Sequence, residues 1–165
     1  MPYRLSKSKI LSGRQCPKRL YLEVHQPELA EESGSTHQVQ WWGFEVLKVA
    51  RALNQYGILV GHDHDLKEAL SETTELLRRN SSSPLFEATF EHDGVLIRSD
   101  VLYPERGNAR LVEVKAATEV KDYHLDDCAV QAWVVEKQGI PLNSIELARV
   151  DTSFVYQGDQ NYDGL

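Results

Sequence analysis

Glu113-Val114-Lys115 sets an acid and a base two residues apart. On a strand, side chains at i and i+2 leave the same face, so the carboxylate and the ammonium stand side by side. Val112 and Val114 then turn to the other face, where they can be buried. Asp100 comes earlier, in a stretch that reads Leu96, Arg98, Asp100, Leu102 along one face of an adjoining hairpin strand. A charge between apolar neighbours on a sheet face is expensive unless it is paired or metal-bound. Two carboxylates and a lysine converging at strand ends suit metal-assisted phosphodiester hydrolysis. The acids offer hard oxygens to Mg²⁺ or Mn²⁺. The metal lowers the pKa of its bound water and screens the phosphate. The lysine positions that water or stabilises the charge developing on the phosphate. Taken alone, an acid…acid-x-lysine pattern is also what chance ion pairing produces, so the surrounding elements decide its weight.

Those elements can be placed from periodicity and punctuation. Ser6 to about Glu23 is a helix with Leu5, Leu11, Leu20 and Leu22 as apolar anchors and Pro17 as an interruption. Residues 26–35 read as a loop. Thr36 to about Gln55 is a second helix, carried by Val39, Trp42, Val46, Val49 and Leu53 and closed by Gly57. Ile58, Leu59 and Val60 form at best a short buried strand. Asp65 is an N-cap with Glu68 three residues on, and Arg78 and Arg79 suit the helix end. The stripe Leu66, Leu70, Thr73, Leu77 is the expected buried face of that helix. After Pro84 the period changes to two: Phe86, Ala88 and Phe90 alternate with Glu87, Thr89 and Glu91, and Asp93-Gly94 turns the chain into a hairpin. Val95–Tyr103 returns, 104–108 turns again, and Leu111–Ala116 is a third strand. A helix from Asp122 to Lys137 ends at Gly139 and Pro141, and Ile145–Tyr156 reads as a last strand. The order makes a mixed α/β (α+β) chain with one domain over residues 1–165.

Composition agrees with a globular protein. Of 165 residues, 41% are hydrophobic and 26% charged, and no apolar run approaches a membrane span. The first fifteen residues carry no secretory core, and two cysteines 112 positions apart make no disulfide framework, so a cytoplasmic location is expected. The net charge is −7, yet residues 1–22 hold six bases (Arg4, Lys7, Lys9, Arg14, Lys18, Arg19) and no acid. That strip is either a solvated helix or a surface that holds a nucleic-acid strand. His124, at the start of the helix after Lys115, is either near the phosphate or a satisfied surface histidine. His62-Asp63-His64-Asp65 alternates metal-ligand types, but Asp65 is already a helix cap and a polar loop is the favoured reading. Those histidines keep an unrelated metal hydrolase as a remote option. Trp41, Trp42 and Trp133 are expected in the core, with base stacking as the alternative.

The chain as a whole resembles the PD-(D/E)xK nuclease superfamily, and within it the RecB-like branch that includes CRISPR-associated RecB-like exonucleases. The resemblance is carried by LSKSKILSGRQCPKRLYL at 5–22, WWGFEVLKVAR at 41–51, FEATFEHDGV at 86–95, LIRSDVLY at 96–103 and LVEVKAATEVKDYHLDDCAVQAW at 111–133. It implies a restriction-endonuclease-like core, with a central mixed sheet of four or five strands flanked by helices. It implies Asp100 and Glu113 as metal ligands with the main-chain carbonyl of Val114, and Lys115 as the catalytic lysine. Gln131 matches the glutamine that this branch carries on the following helix. The implied activity is a Mg²⁺- or Mn²⁺-dependent nuclease acting on DNA, single-stranded or at duplex ends, as an exonuclease rather than an endonuclease, in repair, recombination or defence.

Several positions depart from that pattern. Ser99 replaces the proline of the superfamily's name, and Val135 stands where a tyrosine often follows the glutamine. Leu47 stands where a histidine ligand is usual, and Glu45 or Glu87 is a substitute for it or else a surface acid. Cys16 matches the first cysteine of an iron–sulfur cluster, but three further cysteines are missing and Cys128 reads as a core thiol, so no cluster is expected. The polar tail reads as part of a longer protein, with further domains of the same chain as partners. The alternative function is a degenerate, non-catalytic module of this fold that binds nucleic acid or protein.

Overall fold

A computed structural model describes residues 5–30, 34–62, 64–79 and 81–161; Arg4, Asp63 and the side chains of Thr36 and Val39 lie outside the described set. The elements are β1 (Leu5–Ser6), α1 (Lys7–Gln15), α2 (Pro17–His25), a 3₁₀ turn (Pro27–Leu29), α3 (Gly34–Ala52), β2 (Ile58–Leu59), α4 (Leu66–Arg78), β3 (Leu85–His92), β4 (Val95–Glu105), β5 (Asn108–Lys115), α5 (Asp122–Lys137) and β6 (Leu142–Arg149). The strands form one mixed sheet in the order β2-β3-β4-β5-β6, with β1 added to β4. β3, β4 and β5 meander antiparallel, whereas β2 joins β3, β6 joins β5 and β1 joins β4 in parallel. The fold is therefore a central mixed sheet flanked by helices. Among the described residues, no helix is long and apolar enough to cross a membrane.

Local chemistry accounts for most boundaries. The expected first helix is two helices, because Cys16 is extended (φ −160°, ψ 115°) and Pro17 opens α2. Proline lacks the N–H and fixes φ, which suits a first helical residue and no interior one. Asp65 caps α4 by accepting from Lys67 N–H at 2.9 Å and Glu68 N–H at 3.1 Å. Asp93 (φ 48°) and Gly94 (φ 76°) take the left-handed pair that a two-residue hairpin loop requires. Glu105–Asn108 is closed by a second such pair, Arg106 and Gly107, so Pro104 lies inside β4 rather than in the turn.

The core joins Leu85, Ala88, Phe90, Ile97, Leu102 and Leu111 of the sheet to Ala69 and Leu76 of α4 and Val134 and Val135 of α5. Three expectations are corrected here. The buried side of α4 is Ala69, Thr73 and Leu76: Thr73 lies there as expected, but Leu66, Leu70 and Leu77 lie on its margin. On β5 the fully buried face is Ala109, Leu111 and Glu113, whereas Val112 and Val114 are only half-buried. Glu113 thus projects into the covered side of the sheet, beneath α5, not from an open edge. The tryptophans are outside: Trp41 and Trp42 are 55% and 53% exposed and Trp133 is 39% exposed.

A fork in the sheet positions the candidate site. β4 pairs with β5 from Glu105 back to Val101, and the ladder stops there. At its other end β4 pairs with β1 through Val95 and Leu96. The β3–β4 register runs Leu85↔Leu102 and Phe86↔Val101 and resumes at Ala88↔Ser99, passing over Glu87 and Asp100. Glu87 has φ 56°. The core takes both Leu85 and Ala88, an odd step that strict alternation forbids, and the left-handed residue makes that step. Asp100 therefore sits where two strands change face and a third peels away.

Candidate active site

At the fork the strand ladder is replaced by side chains. The Asp100 carboxylate accepts the Val114 N–H at 2.7 Å, beyond the last β4–β5 pair. Glu113 is 2% exposed. Its Oε1 accepts from Lys115 Nζ at 2.5 Å and from Lys7 Nζ at 2.9 Å, and its Oε2 accepts from Gln131 Nε2 at 2.5 Å. Asp127, one turn before Gln131 on the same face of α5, completes the group. It accepts from Lys115 at 2.5 Å and from Gln131 at 3.1 Å, and lies 3.0 Å from the Lys7 ammonium. Lys7 and Lys115 keep 20% and 24% of their side chains in solvent, so the carboxylates form the buried floor of the cluster and the lysines its solvent side.

The electrostatics follow from this packing. Burial, then the Glu113 charge, pushes Asp100 up to about 7, against the Val114 N–H and Lys7. Burial works against the charge on both lysines, but Glu113 and Asp127 outweigh it and hold Lys7 and Lys115 above the usual lysine range. Burial would likewise raise Asp127, yet Lys7 and Lys115 keep it below the usual carboxylate range. The Cys128 thiol, alongside, is pushed up by burial.

Asp100, Glu113, Lys115 and Gln131 are thus brought together from β4, β5 and α5. Of the other expected residues, only Lys7 and, through its backbone, Val114 join them. Glu45 pairs with Lys48 at 2.7 Å on the surface of α3. Glu87 pairs with Arg51 at 2.6 Å, although its charge still reaches Asp100. For Val114 the recorded tie to the site is the backbone N–H. His124 is a correction: it is 2% exposed, and its Nδ1 accepts the Lys121 N–H at 3.2 Å, so the ring closes the start of α5 instead of facing a phosphate. Burial pulls its pKa down. In the basic segment, Arg14 pairs with Asp126 at 2.8 Å and Arg19 with Glu23 at 2.7 Å, while Lys9 and Lys18 line surface clefts. His62 contacts Glu68 and Glu72 of α4 at 3.0 and 3.1 Å, a loop-to-helix tie. Cys16 is exposed and Cys128 buried.

Two members of the cluster went unforeseen. Lys7 was expected on a nucleic-acid surface but points inward. Asp127 had one available signal, its spacing of four from Gln131 on a helix, which puts both on one face. Among the described residues, no three His, Cys, Asp or Glu side chains are drawn up around one point as a metal requires. Glu113 and Asp127 instead converge on ammonium groups. The donor set nonetheless suits a hard cation, being all oxygen. Gln131 Oε1, the carbonyl oxygen of the same amide that donates to Glu113 and Asp127, is buried with no hydrogen-bond partner among the described residues.

No protein-family profile matches the chain, and no curated protein matches it.

Proposed function

We propose that the chain is a Mg²⁺- or Mn²⁺-dependent nuclease of restriction-endonuclease-like fold and RecB-like motif order, hydrolysing DNA as an exonuclease. The observation that carries this reading is the meeting of Asp100, Glu113, Lys115 and Gln131 at the β4–β5 fork. Asp100, Glu113 and the Val114 carbonyl would hold the metal. When bound, it supplies an acidified water and positive charge against the phosphate. The chain's own residues do the rest. Lys115, kept charged by Glu113 and Asp127, stabilises the negative charge that builds on the phosphate oxygens. Gln131 fixes the second oxygen of Glu113, so the carboxylate cannot rotate away from the fork. A cavity of about 420 Å³ is lined by Ala116, the residue after Lys115, with Trp41, Trp42 and Val46 also forming part of its wall. Exposed indoles on that wall suit the stacking of unpaired bases, which favours a single strand or a frayed end.

The test is cleavage of labelled single-stranded and duplex DNA with Mg²⁺ or Mn²⁺. Lys115→Ala should lose roughly 10²–10³-fold in rate, the usual loss of one electrostatic contact to a transition state. Cleavage by that variant at the wild-type rate refutes the assignment. The second reading, a non-catalytic module binding nucleic acid or protein, is favoured by one observation: Lys7 already neutralises Glu113 and Asp127. It predicts DNA binding with no cleavage in any divalent cation.

A further inference from the structure

We propose that Lys7 is a tethered cation that competes with a divalent metal for Glu113, so that a metal ion engages this carboxylate only by displacing the Lys7 ammonium. The inference rests on the nuclease reading above and adds its regulation. Lys7 is delivered to the fork by the chain's own pairing. Leu5 and Ser6 are held against Val95 and Leu96, with Leu5 N–H donating to the Gly94 carbonyl at 2.9 Å. Ser6 then caps α1, and Lys7 is its first residue. Its stem therefore starts in the gap that β5 leaves open along β4. From there Nζ lands 2.9 Å from Glu113 Oε1 and 3.0 Å from Asp127 Oδ1.

Two features make Lys7 a displaceable partner of Glu113 rather than a settled one. Glu113 Oε1 serves two ammonium groups at once, Lys7 and Lys115, and those like charges repel. The second feature is Gln131: its nitrogen is bound to Glu113 and Asp127 while its buried Oε1 has no partner among the described residues, so the amide beside this cluster keeps an oxygen that Lys7 does not satisfy. Lysine suits the part of a removable plug, being a point charge on a flexible stem, and one-fifth of this side chain is already in solvent.

Mn²⁺ binding to the full chain, read from the loss of the free-ion electron paramagnetic resonance signal, tests this without reference to activity. Lys7→Met should bind Mn²⁺ about tenfold more tightly than wild type, within the usual range of coupling between two sites, whereas Lys7→Arg should gain nothing. Adding Glu113→Gln to Lys7→Met should abolish the gain. A second measurement needs no variant: saturating Mn²⁺ should speed chemical labelling of the Lys7 amine relative to Lys9, read by mass spectrometry of peptides. Equal affinity in wild type and Lys7→Met, with binding still lost on Glu113→Gln, overturns the competition and leaves the nuclease reading standing. Unchanged labelling of Lys7 at saturation overturns it equally. Mn²⁺ binding indifferent to Glu113→Gln, or none by any variant, overturns the metal site and both proposals with it.

Discussion

Burial and the neighbouring Glu113 charge move the Asp100 carboxyl far above its ordinary range, and that has a measurable consequence. Folded, it keeps its proton to about pH 7, against an ordinary value of 3.8. Between those values the folded state binds the extra proton, so this group's contribution falls as pH rises and is fully lost above the folded value. Asn in its place can still accept the Val114 N–H but never ionises. Asp100→Asn should therefore melt higher than wild type above pH 7 in chelator, and the two should converge as pH drops toward 4. A melting difference independent of pH would show that the carboxylate is not buried as described. The acids and base of this cluster were legible in the sequence because a strand's period of two couples Glu113 to Lys115 and a hairpin brings Asp100 alongside. Lys7 and Asp127 were not. Lys7 sits 106 positions from Glu113, and only the docking of β1 brings it there.

Elements whose causes are local were read correctly, whereas β1 and the limits of β6, both set by distant partners, were not. The Asp93-Gly94 hairpin, the Asp65 cap and the limits of α5 are written in a few adjacent residues. β1 is two residues long, and nothing in Leu5-Ser6 announces a strand; its pairing with Val95 and Leu96 makes it one. β6 runs Leu142–Arg149 instead of Ile145–Tyr156, because β5 is its template and ends at Lys115↔Arg149. Two substitutions test the local causes. Asp65→Ala removes the acceptor for two free N–H groups of α4 and should cost about 1 kcal/mol in chemical denaturation. Gly57→Ala should cost more, roughly 1–3 kcal/mol, the range for overpacking. A methyl there would overlap the Phe86 ring, which is 5% exposed and has little room to move. If Gly57→Ala were neutral, the turn from α3 into β2 would have to be loose enough to move away from the Phe86 ring.

At the scale of the whole molecule, the question is how an acidic chain of net charge −7 would hold a polyanion. The basic strip looks like five available cations between residues 7 and 19, but the fold has already committed three. Lys7 is turned inward onto Glu113, Arg14 is paired with Asp126 of α5, and Arg19 with Glu23. These pairs dock α1 onto α5 and brace α2, so the strip serves the assembly of the fork before any ligand arrives. Lys9 and Lys18 remain along the outer clefts of the two helices. Electrostatic binding scales with the phosphates neutralised, with a slope of about −0.7 per contact in log affinity against log salt for single strands. Two lysines give a slope near −1.4, where five cations would give about −3.5. Fluorescence anisotropy of a labelled oligonucleotide across a salt series, in chelator, measures it directly. Lys9→Ala with Lys18→Ala should remove most of the salt dependence. Arg14→Ala should leave the slope nearly unchanged and act on stability instead. A slope matching five contacts would mean that the ion pairs of α1 and α2 open when DNA binds, and that the N-terminal helices rearrange around it.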